Sequence, residues 1–168
     1  MTRFLVCVVS VACGLGVSAR VSDARSAGAC PGVDRAAAVS ARPGATRTLV
    51  PTGAGELLLC RYSGLDAPGG AFRLQVQRLV SQQPTVAVLT SELDALTPTT
   101  GIYHCPSERA ADIVARFIYA AGPQNPVTVD LTGRNAVTNG HVHREAGTSA
   151  AGRRLIGALT RLTTRSAG

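Results

Sequence analysis

The 168-residue chain has no Lys and no Trp, and it holds only three Phe, three Tyr and one Met. With so few aromatics, the core has to be built from aliphatic side chains. Nucleic-acid binding is disfavoured, because no aromatic-rich stacking strand accompanies the charge. All 17 basic residues are Arg, against 10 acids, for a net charge of +7. Chains that hold phosphates commonly mix Arg with Lys, which serves well as a phosphate point charge. Complete exclusion of Lys beside abundant Ala and Gly reads instead as a GC-rich coding sequence. The Arg residues are scattered, and Arg153-Arg154 is the only adjacent pair. A solvated surface is the plain reading of this charge, and general electrostatic adhesion to an anionic envelope polymer is the functional one. A Gly-x-Ser-x-Gly elbow is also missing, so a serine hydrolase of that type has no support.

The N-terminus is more informative. Arg3 precedes an apolar run from Phe4 to Val17, and the run leaves through the small residues Val17-Ser18-Ala19. That order matches a secretory signal peptide. At about 14 residues the run is too short for a bilayer, which takes roughly 20. Cleavage is expected after Ala19, with a secreted mature chain starting at Arg20 and no transmembrane segment. Lipid attachment at Cys13 is disfavoured, because Ser10 stands where a lipoprotein box has a Leu-like residue. Residues 20–46, rich in Ala, Arg, Ser and Gly, read as a flexible lead-in. Residues 47–168 read as a single domain, large enough for a real core.

Cys7 and Cys13 leave with the leader, so the mature chain keeps Cys30, Cys60 and Cys105. Export favours pairing, and an odd count leaves one cysteine over. Cys60 and Cys105 both stand close to strand-like runs, whereas Cys30 sits in the lead-in. The expected bridge is therefore Cys60–Cys105, contributing about 4 kcal/mol in the chain-entropy model.

Leu57 to Tyr62 is an apolar run of strand length, and Phe72, Leu74 and Val76 alternate with polar residues. Val86, Leu89, Leu93 and Leu96 fall on one face of a helix beginning near Pro84. Ile113 to Tyr119 and Val127 to Leu131 read as an antiparallel hairpin, and Ala136 to His143 as a further strand bent at Asn139-Gly140. Leu155, Ile156, Leu159 and Leu162 mark a last helix capped near Thr148 or Ser149. The order predicts an α+β two-layer sandwich, an antiparallel sheet of four to five strands with two helices on one face. Leu59, Phe117, Val129, Leu89, Leu93, Leu155 and Leu159 should share one core.

Three constellations carry possible chemistry. His141 and His143 on one strand face, with His104, have zinc-ligand types, although no carboxylate is fixed nearby to orient the rings. Paired His on exposed edges are also common without a metal, so no metal or cofactor is expected. Cys105 with His141 or His143, oriented by Asn139 or Asp130, would make a thiol hydrolase. An exported cysteine with a second one available is normally oxidised and inert, so the protein is read as a non-enzyme. Pro106, Ser107, Glu108 and Arg109 follow Cys105 and form a Pro-stiffened segment. They read as a binding loop, since preorganisation lowers the entropic cost of association, or as a plain connector.

Leu49-Val50-Pro51, Cys60-Arg61-Tyr62-Ser63-Gly64-Leu65, Tyr103-His104-Cys105-Pro106, Leu131-Thr132-Gly133 and Val137-Thr138-Asn139-Gly140 together resemble a group of secreted actinobacterial proteins without known activity. The resemblance runs from about Leu49 to the C-terminus. Members often carry a Cys where this chain has Arg134. More distantly, the strand Cys, the helix ending Ser91-Glu92-Leu93-Asp94-Ala95-Leu96 and Cys105-Pro106 ahead of a hairpin are similar to the Streptomyces subtilisin inhibitor family. That similarity implies a reactive bond at Ser107–Glu108. Three cysteines do not make the family's two disulfides, and Ser107 is smaller than its usual bait residue. The leading expectation is a secreted, non-catalytic interaction module whose partner is an extracellular protein or an anionic envelope polymer. A protease inhibitor is the alternative.

Overall fold

The dense apolar run becomes the central strand. A computed structural model describes residues 29–34, 46–68, 70–99, 111–123 and 126–164. In it the chain forms β1 (Glu56–Ser63), β2 (Leu74–Val80), α1 (Gln83–Asp94), β3 (Thr97–Pro98), β4 (Ala111–Tyr119) and β5 (Gly122–Pro123). Then follow β6 (Val127–Asp130), β7 (Ala136–Thr138), β8 (His143–Glu145) and α2 (Ala150–Leu162). Seven strands make one antiparallel sheet in the order β2-β1-β4-β6-β7-β8-β3, and two-residue β5 pairs only with β4. The fold is α+β, as its periodicities predict, with more strands than the four to five expected.

Each extra strand has a local cause. The segment read as one bent strand turns back on itself at Gly140, whose φ of 87° is open to glycine at little cost. It therefore yields β7 and β8 in place of one strand. Thr97-Pro98, just past the helical spacing that ends at Leu96, becomes an edge strand on β8, where a missing Pro N–H is tolerated. Helix α1 stops at Asp94 and not at Leu96, although Leu96 stays buried.

The hairpin of β4 and β6 holds in register, with Ile113 opposite Val129 and Ala115 opposite Val127. Helix α2 is capped as its sequence predicts: the Ser149 side chain accepts from the Gly152 N–H at 3.0 Å. Gly152 lies so close to Ala146 that a Cβ would stand 2.1 Å from the Ala146 carbonyl oxygen. Any larger residue there would push the helix off the end of β8.

All seven expected core residues, from Leu59 to Leu159, belong to one buried, mainly aliphatic cluster that draws on both helices and on β1, β2, β4, β6 and β7. The opposite face of β1 is buried as well. Leu58, Cys60 and Tyr62 join Val114 and Cys30 in a second cluster. Strand β1 is thus apolar on both faces because it is buried on both, which is why its sequence does not alternate.

Leu93, with no exposed surface, is the single-residue test of the aliphatic core. Leu93→Ala should cost about 2–5 kcal/mol in denaturant unfolding. His141→Ala and His143→Ala, at exposed positions, should each stay within about 0.5 kcal/mol of the parent. A zinc-reversible loss from the His changes would contradict this ranking.

Candidate functional site

The covering of β1's second face comes from residues 29–34, inside the stretch read as a flexible lead-in. Cys30 is bonded to Cys60, with Cα atoms 5.7 Å apart. This corrects the expected Cys60–Cys105 pairing: the sulfur of Cys60 is already taken, and Cys105 lies outside the described residues. The reason lies in the sheet, since Cys60 points to the face away from the helices, where the N-terminal segment crosses. Around the bridge, Leu74 N donates to Gly32 O and Asp34 N to Phe72 O, both at 2.9 Å, so residues 32–34 pair with the start of β2. Cys30 N donates to the Gln77 side chain at 2.8 Å, and the Tyr62 hydroxyl to Pro31 O at 3.1 Å. Burial, and then Asp34, pushes the Tyr62 phenol above its ordinary value, against a lowering pull from Arg116. The phenol is therefore a neutral donor at any physiological pH. The bridge spans 30 positions in sequence, worth about 3–4 kcal/mol in the chain-entropy model.

The histidines fare differently from their expectation. His143 opens β8, but His141 sits in the turn before it, so the two do not share a strand face. Both are exposed. Among the described residues no group of three or more His, Cys, Asp or Glu is placed to hold a metal ion, and His104 lies outside them.

Asn139, considered as an orienter of a thiol site, is instead the hub of that turn. Its side-chain oxygen accepts from His141 N and Val142 N at 2.9 and 2.8 Å, and its amide donates to Thr48 O and Leu49 O at 2.9 and 3.2 Å. Asp130 is likewise engaged locally, accepting from the Thr132 N–H at 2.8 Å and the Thr132 hydroxyl at 2.5 Å. Asp130 also stands directly opposite Asp112 in the sheet, a pairing 18 positions apart that no spacing rule in the sequence reveals. Arg134, at the position where the resembled group often has a Cys, lies 3.6 Å from the buried carboxylate of Glu145. The expected binding loop, Pro106, Ser107, Glu108 and Arg109, lies outside the described residues, as do the leader and the Ser107–Glu108 bond.

Concave surface is also present among the described residues. A groove of about 580 Å³ lies between the helices, lined by Pro84, Val88 and Leu89 of α1 and by Ala158, Arg161 and Leu162 of α2. A cleft of about 460 Å³ lies where β1 and β2 meet the end of α2, lined among others by Arg61, Ser63, Gln75, Val76, Thr163 and Thr164. Sequence reasoning passed over Arg61. Its signal was there, since Leu57, Leu59 and Arg61 occupy alternate positions of one strand, and a cation closes an otherwise apolar series.

No protein-family model, curated protein or solved structure matches this chain. The site therefore rests on its own geometry. In that geometry the groups with chemical potential among the described residues serve structure: Cys60 in the bridge, Asn139 and Asp130 in turns.

Asn139 gives the sharpest test of this assignment. Its four hydrogen bonds are made where only 4% of the residue is exposed. Asn139→Ala should destabilise by about 2–3 kcal/mol, because it strands buried backbone groups. Asn139→Asp should be comparably damaging at neutral pH, since a carboxylate cannot donate to Thr48 O and Leu49 O. A change under about 0.5 kcal/mol in either variant would remove the hub role.

Proposed function

We propose that this protein acts outside the cytoplasm as a small non-catalytic interaction module, a two-layer α+β domain secreted through its N-terminal leader. Its partner is an extracellular protein or an anionic envelope polymer. The observation that carries the reading is the Cys30–Cys60 bridge, with both cysteines buried. Disulfides of this kind persist in oxidising compartments and are rare in the cytosol. The leader pattern supports the same compartment independently, through Arg3, the run to Val17 and the Val17-Ser18-Ala19 exit.

The binding part of the reading draws on what the conserved chemistry of enzymes would need and where these residues are spent. The one described cysteine on a strand is oxidised, and the two described histidines, His141 and His143, are exposed. The surplus of Arg is displayed at exposed positions such as Arg73, Arg78, Arg153 and Arg154, which suits an anionic surface by long-range attraction. Among the described residues no helix is long and apolar enough to cross a membrane.

Fractionation of an actinobacterial host expressing the full chain tests this. The protein should be recovered outside the cell with Arg20 as its first residue by mass spectrometry, and non-reducing peptide mapping should return Cys30 joined to Cys60. A cytoplasmic protein with Met1 intact and both cysteines alkylatable would overturn the proposal.

A further inference from the structure

Helix α1 is short of charge on the side turned away from the sheet. Of its twelve residues only Glu92 and Asp94 are charged, and Asp94 is spent on the backbone of Leu49 and Val50. Pro84, Ala87 and Val88 are exposed. Val88, at 55%, is the most exposed large aliphatic side chain among the described residues. A helix that is apolar around most of its circumference is one whose outer side is covered as well. Strand β1 has such a composition and is covered on both faces; α1 has the composition without the second cover.

The charges beside it select the occupant. Val88 borders the 580 Å³ groove, with Leu89, Ala158 and Leu162 along it, Glu92 on the α1 bank and Arg161 on the α2 bank. Both charged residues are exposed, and neither side chain makes an ion pair or hydrogen bond among the described residues. Helix α2 carries Arg153, Arg154 and Arg161 and no acid. The outer sides of the two helices are therefore opposite in sign. Laying α1 of one copy on α1 of another would set two acids against each other, and α2 on α2 would oppose Arg to Arg. Only α1 on α2 joins unlike charges, and like charges brought together at an interface are costly.

We propose that this helical face is the interface of a reversible, two-fold symmetric homodimer. With the axis running along the groove, α1 of each copy lies over α2 of the other. Val88 then seats against Ala158 and Leu162 of the other copy, and Glu92 pairs with its Arg161. Each contact is made twice, as an isologous interface requires. Helices of 12 and 13 residues present a face of about 20 by 20 Å. That is small for a specific interface, so monomer and dimer should exchange in the micromolar range. The proposal stands apart from the partner proposed above and does not depend on export.

Sedimentation equilibrium of the full mature chain tests this without any variant: between about 1 and 500 µM the mean mass should rise from monomer toward dimer. Glu92→Arg and Arg161→Glu should each weaken association at least about tenfold, because each sets like charges against one another across the interface. Mixed in equal amounts, the two single variants should form a heterodimer, since one then carries only positive and the other only negative charge at these two positions. A structural role within one copy gives no such rescue. A parent chain still monomeric at about 500 µM, a single variant that dimerises as well as the parent, or a mixture that stays monomeric would each overturn the interface. A monomer whose Val88 methyls show nuclear Overhauser contacts to another segment of its own chain would also overturn it, and would give the groove an internal occupant.

Discussion

The fold depends on strand β1 being covered on both sides. Leu57 and Leu59 face the helices and Leu58, Cys60 and Tyr62 face away, and all five are at most 1% exposed. A sheet with helices on one face normally leaves its other face to water, where polar residues are cheap and apolar ones aggregate. Here residues 29–34 close that face, fastened by a covalent bond at Cys30 and by backbone pairing with the start of β2. The strap and the strand's composition imply each other. Without the strap, Leu58, Tyr62 and Val114 would be exposed hydrophobic surface. Without that surface, the strap would have nothing apolar to cover.

The far side of the domain solves a different problem. Residues 48–51 lie outside every helix and strand, yet Leu49 and Val50 are buried. Buried backbone polar groups need partners, and side chains from α1, β4 and the turn between β7 and β8 supply them. Asp94, at the end of α1, accepts from Leu49 N and Val50 N at 2.7 and 3.1 Å. Asn139 donates to Thr48 O and Leu49 O, and the Tyr119 hydroxyl of β4 donates to Pro51 O at 2.7 Å. Polar residues that would otherwise invite a catalytic reading are thus spent on holding irregular backbone inside the core.

Regular elements were legible where side-chain periodicity had a single cause. The β4–β6 hairpin, the Ser149 cap and the seven core residues all follow from alternation, helical spacing and turn chemistry. Asp94 shows the limit: helical spacing alone puts it on the solvated side, and only a segment 44 to 45 positions away makes it a half-buried acceptor of two backbone N–H groups. The same limit applies to the disulfide. Local sequence around Cys30 is small and Gly-rich, and nothing in it records that the segment docks on a β-sheet. The reversal at Asn139-Gly140 was visible as a bend, but the four hydrogen bonds that make it a hub span up to 91 positions. Arg61 was passed over although its alternation with Leu57 and Leu59 puts it on their face of β1.

The central claim is that the Cys30–Cys60 strap seals the second face of β1, and amide hydrogen exchange before and after selective reduction measures it directly. With the bridge opened, peptides covering β1, β2 and the middle of β4 should exchange at least tenfold faster, while the amides of α1, packed on the other face, should keep their protection. Unchanged exchange in β1 after verified reduction of Cys30 and Cys60 would contradict the account.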